Sequence, residues 1–134
     1  GYRGLAFQAA PDLPIRREPT VALGASVADA RQAAGGEDWL LVVDEAGAPA
    51  GWVELSGLAG PIDRDDLHRG GTVARAGGSL RAALDAALSA PSRRGVLADA
   101  DGRLVGTVRA QDVLAAIERD QTLPEPRPSD RDAT

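Results

Sequence analysis

Asp99-Ala100-Asp101-Gly102-Arg103-Leu104-Val105-Gly106-Thr107-Val108-Arg109-Ala110-Gln111-Asp112-Val113-Leu114 decides the fold, because its framework occurs once before in the same chain. Asp99, Gly102 and Gly106 stand 55 positions after Asp44, Gly47 and Gly51. The apolar runs that precede them, Trp39-Leu40-Leu41-Val42-Val43 and Gly95-Val96-Leu97-Ala98, match as well. Ser26 recurs at Ser79 after 53 positions, so the second copy gains two residues between helix and strand. Two copies of one supersecondary unit are expected to bury their open faces against each other.

Working outward, Thr20-Val21-Ala22-Leu23 is a short strand candidate. Ser26 offers a hydroxyl to cap a helix over 27–34, which Gly35-Gly36 stops. Trp39 to Val43 is a continuous apolar run, the sign of a strand covered on both faces. Asp44-Glu45-Ala46-Gly47 turns the chain, and 51–55 returns as its neighbour. The second copy follows the same plan: Thr72-Val73-Ala74 as a strand, then a Ser79-capped helix. That helix carries Leu80, Ala83, Leu84, Ala87 and Leu88 as an apolar stripe. A hairpin around Ala100-Asp101-Gly102 and a closing helix from Asp112 to about Arg119 complete it. Pro11, Pro14 and Pro19 prevent regular helix in 1–19, which reads as a connector. Residues 61–71 read as a polar linker. The tail 120–134 has charge and proline but little to bury, and is expected to be disordered.

Bulk properties exclude several classes. The 134 residues suffice for one domain or a compact pair of subdomains. A net charge of −5 disfavours an electrostatic grip on nucleic acid or anionic lipid. No apolar run approaches the roughly 20 residues that cross a bilayer, and no signal peptide is evident. Without cysteine there is neither a disulfide nor a thiolate metal site, in keeping with a reducing cytosol. The chain opens at Gly1 and contains no Met, so it is expected to be a piece of a longer protein.

The ordered series, seen twice, resembles a tandem of CBS domains, the cystathionine β-synthase type. The resemblance implies an α/β (α+β) fold of two pseudo-symmetric β-α-β-β-α units packed through their sheets, over 20–60 and 72–119. It further implies a regulatory appendage that dimerises, with clefts that often take adenosine nucleotides such as AMP, ATP or cyclic di-AMP. Tyr2-Arg3-Gly4-Leu5, leading through Phe7-Gln8, is similar to the tail of the ATP-binding subunit of osmoprotectant ABC importers for glycine betaine, choline, carnitine or proline. On that likeness the partners would be a second copy of the module, the ATPase domain of the same chain and the permease. The module would lie in the cytoplasm at the inner face of the membrane.

In nucleotide-binding members of the family the acid opening the last helix bonds both ribose hydroxyls, a task that suits a carboxylate. Asp112 holds that place; helix N-capping is its other reading. Arg109 stands where the family has a hydroxyl residue, either to pair with a phosphate or to face solvent. Backbone from Gly71-Thr72-Val73 and Arg93-Arg94-Gly95-Val96 would line the adenine. Arg93 and Arg94 are candidate phosphate partners or members of a solvated loop. The first copy has Gly57 and Glu54 at the positions of Asp112 and Arg109, so at most one ordinary nucleotide site is expected.

Trp39 and Trp52 could in principle cage a quaternary ammonium, but core packing accounts for them better. Asp63, Asp65 and Asp66 make a poor calcium loop, because Arg64 intervenes and no ordered Gly turn follows. A triad would have to use His68, and no P-loop is present, so catalysis by this piece is not expected. The reading is a non-catalytic module that adjusts a partner ATPase by sensing an adenine nucleotide or ionic strength. Its rivals are a degenerate pair that only holds a dimer together, and a nucleotide sensor on another host.

Overall fold

The computed structural model of the protein describes residues 13–68 and 71–122. The importer-like residues 2–8, and the tail from 123 onward, lie outside the described residues. The chain forms two three-stranded sheets, each with the middle strand parallel to one neighbour and antiparallel to the other. The first holds β1 (Thr20–Ala22), β2 (Trp39–Val43) and β3 (Pro49–Glu54), with α1 (Val27–Ala34) crossing from β1 to β2. The second holds β4 (Val73–Arg75), β5 (Arg94–Ala98) and β6 (Leu104–Arg109), with α2 (Leu80–Ser89) in the crossover and α3 (Ala110–Thr122) closing the unit.

Local chemistry repeats with the sequence. Ser26 accepts the Asp29 amide at 3.1 Å and Ser79 that of Ala82 at 3.1 Å, so each helix begins on a hydroxyl cap. Asp44 Oδ1 accepts from the amides of Ala46 and Ala48, and Asp99 Oδ1 from those of Asp101 and Arg103. Gly47 and Gly102 then take φ of 83° and 84°, a left-handed turn position open to glycine. The sheet register slips at Val42/Val43 and again at Leu97/Ala98. The two extra residues of the second copy lie in its crossover helix, 10 residues long against 8.

Two differences from the sequence reading concern length. The closing helix starts at Ala110, which leaves Asp112 inside its first turn and removes the N-cap reading. The corresponding stretch of the first unit is only a 3₁₀ turn, Leu55–Gly57, since Gly57, Gly60 and Pro61 cannot sustain helix. The core has three parts. One lies under α2 and α3, another beneath α1, and Leu41, Trp52 and Val96 join the two sheets between them.

The connector and the linker are structural. Arg16 and Thr107 exchange both backbone hydrogen bonds, at 2.8 and 2.9 Å, so the connector runs antiparallel to β6 of the second unit. His68 and Trp52 do the same at 2.7 and 3.2 Å, laying the linker on β3 of the first unit. Leu13 is buried in the second unit's core and Ile62 in the first's. The segment leading into each unit therefore packs on the other unit's last strand. Gly106 shows why that strand needs glycine: an added Cβ would lie 2.6 Å from the Arg16 carbonyl oxygen and 2.8 Å from Ile15. Gly51, its twin, meets Leu67 and His68 of the linker in the same way.

Replacing Gly106 with Ala should cost about 1–3 kcal/mol by overpacking against backbone. Gly57→Ala, whose added methyl meets nothing within 4 Å, should change stability by less than about 0.5 kcal/mol. Denaturant unfolding of the two variants measures the contrast.

Candidate functional site

β6 ends where α3 begins, and this junction carries Arg109 and Asp112 to one side of the crossing connector. Pro14, Ile15, Arg16, Thr107, Arg109 and Asp112 line a cleft of about 300 Å³ there. That volume stands at the lower end of the range for small-molecule sites, roughly 300–1,000 Å³. Arg109 Nε lies 3.5 Å from Asp112 Oδ2. The pair is partly exposed and worth only about 0.2–1 kcal/mol, so a ligand could draw either group away.

Behind the cleft is a charged cluster. The Glu18 side chain is only 1% exposed. It accepts the Thr107 hydroxyl at 2.6 Å and the Arg94 Nε at 3.1 Å, while Arg94 Nη2 stands 3.0 Å from its second oxygen. Arg94 also reaches Glu37 Oε1 at 3.0 Å, and its Nη2 donates to the Trp39 carbonyl at 3.3 Å. Its guanidinium carbon lies 5.0 Å from the Trp52 ring centre, a cation–π distance. Arg16 closes the set, its Nη2 donating to Glu37 Oε2 at 2.7 Å. Two guanidiniums thus balance two carboxylates across the connector, the β2 entry and the β5 entry.

The structure divides the residues that the sequence reading assigned to one site. Arg109 and Asp112 share the cleft just described. Thr72, Val73 and Val96 instead line a different one, of about 150 Å³, with Leu41, Pro49, Trp52, His68 and Ala90. The reason is the crossing: the segment ahead of β4 lies on β3 and not on β6. Arg94, offered as a phosphate partner, is 14% exposed and spends its donors on Glu18, Glu37 and Trp39, which corrects that reading. Arg93 is exposed at a φ of 64°, donates to the Leu88 carbonyl, and lines neither cleft.

Arg16, Pro14, Ile15 and Thr107 were missed. Arg16 sits among prolines with no periodicity to mark it, and only the fold brings it to Asp112. The tryptophans form no cage. The Trp52 face carries Arg94, and Trp39 meets the His68 ring edge-on at 5.0 Å.

In the first unit the equivalent place is a cleft of about 220 Å³ lined by Glu54, Gly57, Leu58, Asp65, Asp66 and His68. Asp63 and Asp66 cap a 3₁₀ turn, Arg64–Asp66. Glu54, Gly57 and His68 thus stand where the second unit offers Arg109, Asp112 and Arg16, and Asp65 and Asp66 add two more carboxylates to this cleft. Among the described residues no group of histidine and carboxylate side chains could hold a metal ion. None of their helices is long and apolar enough to cross a membrane.

No family model matches the chain, and no curated protein matches it either. Solved structures do. A CBS domain pair/ACT domain protein from Thermotoga maritima superposes with a TM-score of 0.66 at 18% identity, over 82% of this chain and 96% of that one. CBSX2, a CBS-pair protein from Arabidopsis thaliana, gives 0.64 at 22% identity, over 84% and 95%. That protein has also been crystallised in complex with AMP, a structure that superposes at 0.61 with 23% identity over 84% and 97%. OpuCA of Staphylococcus aureus gives 0.61 at 18%, over 78% and 95%. At these identities the likeness is one of fold, and the fold is that of a tandem CBS pair, mixed α and β, with two sheets packed together.

Glu18→Ala should cost about 3 kcal/mol or more, because it leaves Arg94 largely buried with Glu37 as its remaining counter-charge. Chemical denaturation against the parent chain measures it. Glu37 gives a pH signature. The hydrogen bond from Arg16 holds its carboxyl below the usual range; burial opposes this, and the Arg94 and Arg16 charges add to it. A depressed carboxyl contributes stability above its unfolded pKa, lost as pH falls through its folded one. Glu37→Gln should therefore be less stable than the parent at neutral pH, and the difference should shrink as acidification carries Glu37 through its lowered folded-state pKa. Melting temperature followed against pH is the measurement.

Proposed function

We propose that this chain is a non-catalytic regulatory module of the CBS-pair type that binds an adenine nucleotide, AMP, ATP or cyclic di-AMP, in the Arg109–Asp112 cleft. One observation carries the proposal. The fold brings a carboxylate and two guanidiniums, Asp112, Arg109 and Arg16, to one cleft, while its counterpart in the first unit holds three carboxylates. Asp112 accepts the two ribose hydroxyls, and Arg109 pairs with phosphate. The acidic cleft repels phosphate, so each module holds one nucleotide. The AMP complex of CBSX2 shows that a fold of this kind accommodates such a ligand.

The module acts as a homodimer attached to the ATPase domain of an importer for glycine betaine or a related compatible solute, in the cytoplasm beside the permease. The likeness in fold to OpuCA supports this host, as does the sequence around Tyr2-Arg3-Gly4-Leu5. Nucleotide, or ionic strength acting on surface charge, biases closure of the paired ATPases to the extent that it prefers one arrangement of the modules.

Nucleotide at 100 times its Kd should stabilise the chain by about 2.7 kcal/mol, seen as a rise in melting temperature. Asp112→Ala should abolish the rise while lowering intrinsic stability by no more than about 1 kcal/mol. No shift with AMP, ATP or cyclic di-AMP at millimolar concentration would leave the pair as a dimerisation scaffold.

A further inference from the structure

Glu37 lies outside the cleft lining yet controls the charge of one of its walls. Of the six residues that line the cleft, Arg16 is the one to which Glu37 bonds. The Arg16 backbone is fixed to Thr107 on β6, but its side chain is 39% exposed and that of Glu37 34%, so both charged ends can move. Glu37 spans two guanidiniums, Arg16 and Arg94, as a phosphate would. Arg94 keeps a counter-charge without it, since buried Glu18 holds Arg94 through two close contacts and reaches Arg16 Nε only at 3.8 Å.

We infer that Glu37 is a built-in competitor for the anionic part of the ligand: its carboxylate occupies the Arg16 guanidinium, and a bound phosphate takes Arg16 over from it. The inference rests on the nucleotide reading of the cleft and adds a residue that sets its affinity for charge. The exchange also has a mechanical consequence. Glu37 leads into β2 of the first unit, and Arg16 belongs to the connector laid on the second. Occupancy of the cleft therefore releases the Arg16–Glu37 ion pair, which ties the connector to the first unit. The connector's other tie, from Glu18 to Arg94 and Thr107 of the second unit, stays in place, and Arg94 still donates to the Trp39 carbonyl of the first.

Titration calorimetry of AMP and of adenosine into the 134-residue chain tests this. Glu37→Gln should tighten AMP by about two- to fivefold, the strength of a half-exposed ion pair, and leave adenosine unchanged. Arg16→Ala should weaken AMP, and the Arg16→Ala, Glu37→Gln double variant should show no gain over Arg16→Ala alone. Unfolding curves for each variant separate lost affinity from lost fold. An unchanged or weaker AMP affinity in Glu37→Gln, equal shifts for AMP and adenosine, or a gain that survives Arg16→Ala would each overturn the inference. AMP binding indifferent to Asp112→Ala overturns the cleft assignment instead. AMP binding by Glu37→Gln but not by the parent supports the competitor role outright, and binding by neither overturns both readings.

Discussion

The carboxylate of Glu18 is the buried charge on which the arrangement of the two units depends. It comes from the connector, yet its partners are Arg94 at the start of β5 and Thr107 in β6. Arg94 in turn lies over Trp52 and donates to the Trp39 carbonyl, both in the first unit. One ionised group thus ties the chain's entry to both sheets. Such a group is tolerated in the interior because a guanidinium and a hydroxyl, Arg94 and Thr107, donate to it directly. Apolar contact between Leu41, Trp52 and Val96 supplies attraction between the sheets, but attraction of that kind is non-directional. The ion pair and its hydrogen bonds fix which way the sheets face.

Duplication gave the chain two equivalent clefts, and side-chain divergence set them apart. The backbone keeps its symmetry at every marker: the hydroxyl caps, the Asp turns, the register slips and the glycine under each crossing segment. Where a ligand would sit, the symmetry is gone. Thr107, Arg109 and Asp112 correspond to Trp52, Glu54 and Gly57, and Arg16 to His68. A change of a few side chains on a common sheet frame reverses the sign of the local charge while the strand pairing stays the same. The shortened first unit follows the same logic, since Gly57 both removes the carboxylate and helps end the helix after one turn.

Much of this was legible from the residues. Ser26 and Ser79 mark helix starts because a hydroxyl there satisfies an amide that the helix cannot. Trp39 to Val43 announces a covered strand, and Asp44 and Asp99 announce their turns, because these are local effects that need no distant partner. The sequence leaves Arg94 between a phosphate partner and a solvated loop residue, since it shows that an arginine is present and not which carboxylate reaches it. The family resemblance groups Thr72 and Val73 with Asp112, and no local signal shows that the segment just ahead of them crosses to β3 of the first unit.

From the sequence alone came the repeat, the elements within each copy, and the absence of a ribose-binding acid at Gly57. All of these are set by neighbours within a few residues or by comparison of one copy with the other. Only the tertiary structure decided that the segment ahead of each unit lies along the last strand of the other. It was this crossing that made Arg16 part of a cleft with Asp112 and sent Thr72 to another. The physical reason is that pairing between distant backbones is chosen by the burial of Leu13 and Ile62 and by the room left at Gly51 and Gly106. Those conditions exist only once both sheets are in place.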